Sequence, residues 1–209
     1  MSTDVTRDFA FGLPKAELHL HLEGTLEPDL KLALARKNGV DIGQSTVEEV
    51  RATYQFNDLT SFLAVYYPAM DVLQDEDDFH DLAAAYFERA RANGVVRAEC
   101  FFDPQAHTSR GIAIETVIRG YYRAVVEARE AGLSADLILC FLRDMSAESA
   151  LETLQAALPY KDMFIGVGLD SDERDNPPTK FADVFALARE AGLHVTMHCD
   201  IDQVGSIDN

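Results

Sequence analysis

Lys15-Ala16-Glu17-Leu18-His19-Leu20-His21-Leu22-Glu23-Gly24-Thr25-Leu26-Glu27-Pro28 decides the fold. Leu18, Leu20 and Leu22 alternate with Glu17, His19, His21 and Glu23, so the leucines share one face and the polar residues the other. A period of two is the signature of a strand. A polar row opposite a leucine row suits a barrel strand whose outer face is covered by helices. Gly24 breaks the strand, and Glu27-Pro28 opens a helix with a proline fit for its first turn. His19 and His21 therefore project side by side from the C-terminal end of a strand, where α/β barrels keep their active sites. That placement suits two nitrogen ligands on one zinc ion.

The rest of the chain extends this pattern. Helical spacing is expected over Pro28–Asn38, from a capping box at Thr46-Val47-Glu48-Glu49, over Asn57–Val72 (Leu59, Phe62, Leu63, Tyr66, Tyr67, Met70) and over Asp75–Asn93. These are more helices than one crossover needs, and they read as a lid inserted over the barrel mouth. From Val95 strands and helices alternate regularly. Strands are expected at Val95–Phe102, Ala135–Leu142, Phe164–Leu169 and His194–Cys199, with helices between them. Short loops between alternating elements argue for parallel β/α architecture. With the opening strand this makes five, whereas a closed barrel of this kind has eight and about 250 residues. The expectation is one barrel domain over 1–209 that stops after its fifth strand, with strands six to eight beyond Asn209.

The chain has 209 residues and a net charge of −18. Such an acidic balance repels nucleic acid phosphates and anionic membranes, which leaves small molecules as the expected partners; self-association stays open. Cys100, Cys140 and Cys199 form no C-x-x-C pair and sit in apolar settings, as buried free thiols of a reducing cytoplasm do. Met1–Phe11 is polar and carries Asp4 and Asp8, unlike a secretory signal. No apolar run approaches the roughly 20 residues of a membrane span.

Other strand ends supply companions for the histidine pair. In His194-Val195-Thr196-Met197-His198-Cys199-Asp200, alternation puts His198 and Asp200 on one face at the end of a later strand. Asp103, Asp170, Asp172, Asp200 and Asp202 cluster just past strand ends. Three histidine nitrogens plus one oxygen ligand would leave zinc open to a water, whose pKa the ion lowers to about 7. His80, among Asp77, Asp78 and Asp81, reads as solvated, and His194 as structural. His107 sits on a strand-end loop, where a loop contact and a role near substrate weigh equally.

Pro14 to Gly24 resembles the N-terminal signature of the adenosine and adenine deaminase family of metal-dependent amidohydrolases. Phe101-Phe102-Asp103-Pro104-Gln105, His107-Thr108, Arg110-Gly111 and Val167-Gly168-Leu169-Asp170-Ser171 resemble its adenine deaminase branch. The resemblance implies a (β/α)8 barrel holding one zinc ion, which hydrolyses the 6-amino group of a purine and releases ammonia. It matches His19, His21 and His198 to metal ligands, and places His21, Glu23, Asp170 and Ser171 near the substrate. A fourth ligand and a further catalytic histidine would fall beyond Asn209.

Two positions depart from the family pattern. The family follows its third histidine with A-G-E, and that glutamate protonates a ring nitrogen. Here the sequence is His198-Cys199-Asp200-Ile201-Asp202, and an aliphatic Ile201 transfers no proton. Asp200, by strand alternation, is the first candidate to replace it, and Asp202 the second. Adenosine deaminases carry aspartate where Glu23 stands, near the ribose; the extra methylene would crowd a sugar and favour the free base. Adenine is thus the expected substrate and adenosine the alternative. A different amidohydrolase-type enzyme stays open because the histidine pair alone does not exclude it, and an inactive relative that only binds stays open on the missing glutamate.

Overall fold

The computed structural model describes residues 2–201 and 205–208. Strand β1 (Lys15–His21) pairs in parallel with β2 (Val95–Phe102). Its register against β2 slips twice, between Lys15 and Ala16 and again after Glu17: Glu17 lies opposite Ala98 but Leu20 opposite Cys100, so three residues of β1 span two of β2. This bulge reverses the face of Glu17. Instead of sharing the histidine face, Glu17 turns to the helical side and accepts a 2.7 Å hydrogen bond from Tyr86. Leu20 still packs on the main core, and Leu18 is left 55% exposed.

The sheet continues through β3 (Ser134–Leu142), β4 (Gly166–Asp170) and β5 (His194–Val195), all parallel and in sequential order. Sequential parallel pairing with helical crossovers curls a sheet toward a barrel, and these five strands form one arc of it. β5 is shorter than its alternation suggests. Regular pairing ends at Val195, and beyond it only Thr196 to Val167 and His198 to Leu169 continue the backbone bonds toward β4.

Helices cover the outer face. α1 (Ser2–Gly12) precedes β1, in a stretch for which the sequence suggested no element. Between β1 and β2 lie α2 (Pro28–Asn38), α3 (Val47–Ala52), α4 (Leu59–Ala69) and α5 (Glu76–Ala92). The expected capping box at Thr46 and Glu49 is present, and Asp58–Ser61 and Asp75–Asp78 form two more. After β2 come the short α6 (Pro104–Thr108), where a strand-end loop was expected, and α7 (Ile114–Glu130). α8 (Ala147–Ala157) and α9 (Ala182–Glu190) follow β3 and β4. Ala98, Cys100, Phe102, Leu139, Phe141 and Leu169 point outward into a core shared with Phe79, Leu82, Val117 and Tyr121 of α5 and α7. Phe101, Ile138 and Cys140 form a smaller cluster on the inner face, on which the site stands. No helix among the described residues is long and apolar enough to cross a membrane.

Candidate metal centre and cavity

His19 and His21 leave the inner face of β1 beside Phe101, their rings stacking on it at centroid distances of 4.5 and 5.0 Å. His198 comes in from the chain just past β5. Its Nε2 lies 2.9 Å from Nε2 of His19 and 3.0 Å from Nε2 of His21. Three like nitrogens aimed at one point cannot satisfy one another, because every donor among them needs an acceptor. Nitrogens around a tetrahedral ion at 2.0–2.1 Å stand about 3.3 Å apart, close to the spacing here. The donor set therefore fits a metal ion.

Behind His21 stand two carboxylates. Asp170, the last residue of β4, places Oδ2 at 3.2 Å from His21 Nδ1, and Asp103, just after β2, places Oδ1 at 3.8 Å. A carboxylate on Nδ1 keeps a hydrogen there and turns the lone pair of Nε2 toward the metal point. Burial opposes a charge on His21, but hydrogen bonds to Asp103 and Asp170 carry its pKa up to about 10. Asp103 is pushed up to about 7, by its own burial and then by the neighbouring Asp170 charge. His198 goes the other way, to about 4, through burial and then repulsion by His21 and His19. Burial, followed by the charge on His21, also lowers His19.

The three histidines open onto a cavity of about 410 Å³. Leu59, Phe62, Leu63, Tyr66 and Tyr67 of α4 form one wall, so the inserted helices do cover the site. Their half-burial follows from this: the stripe faces a cavity rather than a packed core. The opposite wall carries Asp170, Ser171, Glu173, Arg143 and Ile201. Ser171 lines the cavity as expected, held at φ 72°, a left-handed conformation that costs a residue with a Cβ.

Several expected site residues stand elsewhere. Glu23 is not on the wall of this cavity: its side chain is fully enclosed, and Oε1 accepts from the Asp103 amide and from His107 Nε2, both at 3.1 Å. It backs Asp103 instead of facing a ligand. Arg110 Nη2 donates to His107 Nδ1 at 2.9 Å, which leaves the His107 hydrogen on the nitrogen facing Glu23. His107 is thus a buried link, and the choice left open for it resolves to a packing contact. His80 is not simply solvated: it bridges Asp81 and Glu127, joining α5 to α7. Asp172 pairs with Arg174.

Asp200 also departs from expectation. At φ 58° its backbone is left-handed, so strand alternation no longer governs its side chain. Its carboxylate is exposed and accepts the Ile207 amide at 3.1 Å. Asp202 lies outside the described residues. Arg143 and Glu173 are cavity residues the sequence reading passed over, because neither belongs to a recognisable spacing. Arg143 directly follows the apolar run of β3, and its full burial was the signal available only from the fold.

Comparison with known proteins agrees with this geometry. The profile of the family described as "Adenosine deaminase" matches residues 14–201. An adenine deaminase of Geotalea uraniireducens is 57% identical over 187 residues, which covers 89% of this chain and 53% of that protein. An uncharacterised deaminase of Schizosaccharomyces pombe is 54% identical, over 96% of this chain and 59% of its own. The crystal structure of adenine deaminase from Arthrobacter aurescens superposes with a TM-score of 0.90 at 49% identity, over 93% of this chain and 60% of that one. An amidohydrolase from Burkholderia ambifaria, solved with bound Zn, gives a TM-score of 0.80 at 30% identity, over 95% and 55% of the two chains. The chain spans between half and three fifths of the length of these relatives. By sequence profile and fold alike, it belongs to the adenosine deaminase family.

Proposed function

We propose that this chain carries the metal-binding and purine-binding part of a zinc-dependent hydrolytic deaminase that converts adenine and water to hypoxanthine and ammonia. The observation that carries the reading is the convergence of His19, His21 and His198 Nε2 at 2.9–3.0 Å on the floor of a cavity with an aromatic wall. Relatives more than half identical over most of this chain bear the name adenine deaminase, and a structural relative holds zinc.

His19, His21 and His198 would hold the ion, which when bound supplies an acidified water at neutral pH. Asp170 and Asp103 keep the proton of His21 on Nδ1. Phe62, Tyr66 and Tyr67 offer flat apolar surface against which a purine ring packs and from which bulk water is excluded. Asp170 and Ser171, both on the cavity wall, would touch the ring's polar edge. Glu23 acts from behind, its carboxylate holding the Asp103 amide and His107 in place. Asp200, whose Oδ1 accepts the Ile207 amide, and Asp202 are the two candidates to deliver the ring-nitrogen proton.

The reading also takes residues 1–209 as one domain, because a single outer core runs from Leu22 to Leu193. Three unpaired cysteines suit a reducing cytoplasm. The test follows ammonia release from adenine and adenosine side by side with zinc supplied, together with purine binding. Adenine preferred supports the assignment; adenosine preferred keeps the chemistry but overturns adenine as the substrate. Binding of neither zinc nor purine overturns the whole reading.

A further inference from the structure

His198 sits where the sheet can no longer hold it. Its amide donates to Leu169 at 3.0 Å, but the amide next in that alternation, of Asp200, turns to the Glu173 carboxylate instead of to β4. Side chains take over from there. Arg143 Nη1 donates to the His198 carbonyl at 2.9 Å and lies 3.7 Å from Glu173 Oε1. Glu173 accepts the Asp200 amide on Oε1 at 2.9 Å and the Ile201 amide on Oε2 at 2.7 Å. Two successive amides closing on one carboxylate around a left-handed residue, Asp200 at φ 58°, make an anion-binding nest, here filled from within the chain. Arg143 is itself anchored, its Nε donating to the Asn176 carbonyl at 2.9 Å.

Both members of the pair are shut away from solvent, at 0% and 1% exposure. Taking a guanidinium and a carboxylate out of water is costly, and a buried ion pair is weak evidence of stability. What this one does is geometric. It grips the chain at the carbonyl of His198 and again at the two amides beyond Cys199. The imidazole hangs between these grips and the Leu169 bond, with Nε2 directed at the point shared with His19 and His21.

We propose that Arg143 and Glu173 are positioning residues for the metal site, fixing the main chain around His198 so that its Nε2 completes the three-nitrogen set. The proposal rests on the metal-site reading above. Arg143 follows β3 and Glu173 follows β4, so the third ligand would be set by the two preceding strand ends rather than by its own short strand.

The test uses the full chain, with zinc affinity measured by competition against a chromophoric chelator and folding checked by circular dichroism. Outer partners of metal ligands are worth about ten- to a hundredfold in affinity. Glu173→Gln is expected to lose that much while folded, and Arg143→Met likewise, with Arg143→Lys recovering most of it because an ammonium still donates to the His198 carbonyl. Lys37→Met serves as control: it breaks the ion pair with buried Asp78, on another side of the molecule, and is expected to leave zinc affinity within twofold. Should Glu173→Gln and Arg143→Met not fold, Arg143→Lys and Glu173→Asp supply the same comparison, the shorter acid being expected to weaken zinc. Unchanged affinity in the folded variants, or an equal loss in the control, overturns the proposal. Absence of zinc binding by the unaltered chain overturns the metal-site reading instead, so the two failures are distinct.

Discussion

Asp170 Oδ2 lies 3.2 Å from His21 Nδ1, on the side of the ring away from the other two histidines. With Asp103 behind it, this carboxylate keeps the hydrogen on Nδ1 and so turns the Nε2 lone pair to the metal point. Asp170→Asn should lower zinc affinity about ten- to a hundredfold while the fold persists. Isothermal titration on the metal-free protein reads this directly. An unchanged affinity would mean that Asp103 and the phenylalanine stack orient His21 without Asp170.

Metal binding should expel a proton. Before the ion arrives, His21 is protonated at pH 7, held up at about 10 by Asp103 and Asp170 against its burial, whereas His198, lowered to about 4, is already neutral. A ligand nitrogen must be unprotonated, so the proton competes with the metal. Raising the pH favours binding, by up to about tenfold per unit between the two values, with levelling above the His21 pKa. Titrations at pH 7 in buffers of different ionisation enthalpy should show about one proton released. Zero release, with zinc bound, rules out a protonated His21.

Glu23 should matter to stability. Glu23→Ala leaves the Asp103 amide and His107 Nε2 buried without their acceptor. Each stranded donor costs about 1–3 kcal/mol, so a loss of at least about 2 kcal/mol is expected from urea unfolding. His107→Ala should couple to it by about 0.5–3 kcal/mol in a double-mutant cycle, since the two share one hydrogen bond. Strict additivity would mean that the pair is not linked.

Gly120 marks the closest approach of α7 to α5. A Cβ there would stand 2.5 Å from the Glu76 carbonyl and 2.6 Å from Phe79 Cβ. Helix propensity alone favours Gly→Ala by about 1 kcal/mol, but the overpacking works against it by about 1–3 kcal/mol. Gly120→Ala should therefore unfold at lower urea than the unaltered chain. A higher midpoint would show that the two helices can move apart freely.

The local pattern determined much of this protein. Alternation in Lys15–His21 declared a strand that carries two histidines on one face, and repeated strand–helix spacing declared a parallel sheet, because strand and helix periods are written in neighbouring residues. Thr46 and Glu49 announced their cap for the same reason. His198 was legible as a partner since strand ends in such a fold fall at one level. Only the tertiary structure decided what depended on register or on a backbone angle. The bulge in β1 sent Glu17 to Tyr86, and no property of β1 alone reveals a register set against β2. A left-handed Asp200 turned its carboxylate to Ile207, which alternation cannot foresee. Glu23 moved from the ligand's side to the back of Asp103, and Arg143 and Glu173 met across two loops to grip His198. Spacing along the chain determines which residues share a face; which of them touch is set by packing between elements far apart in sequence.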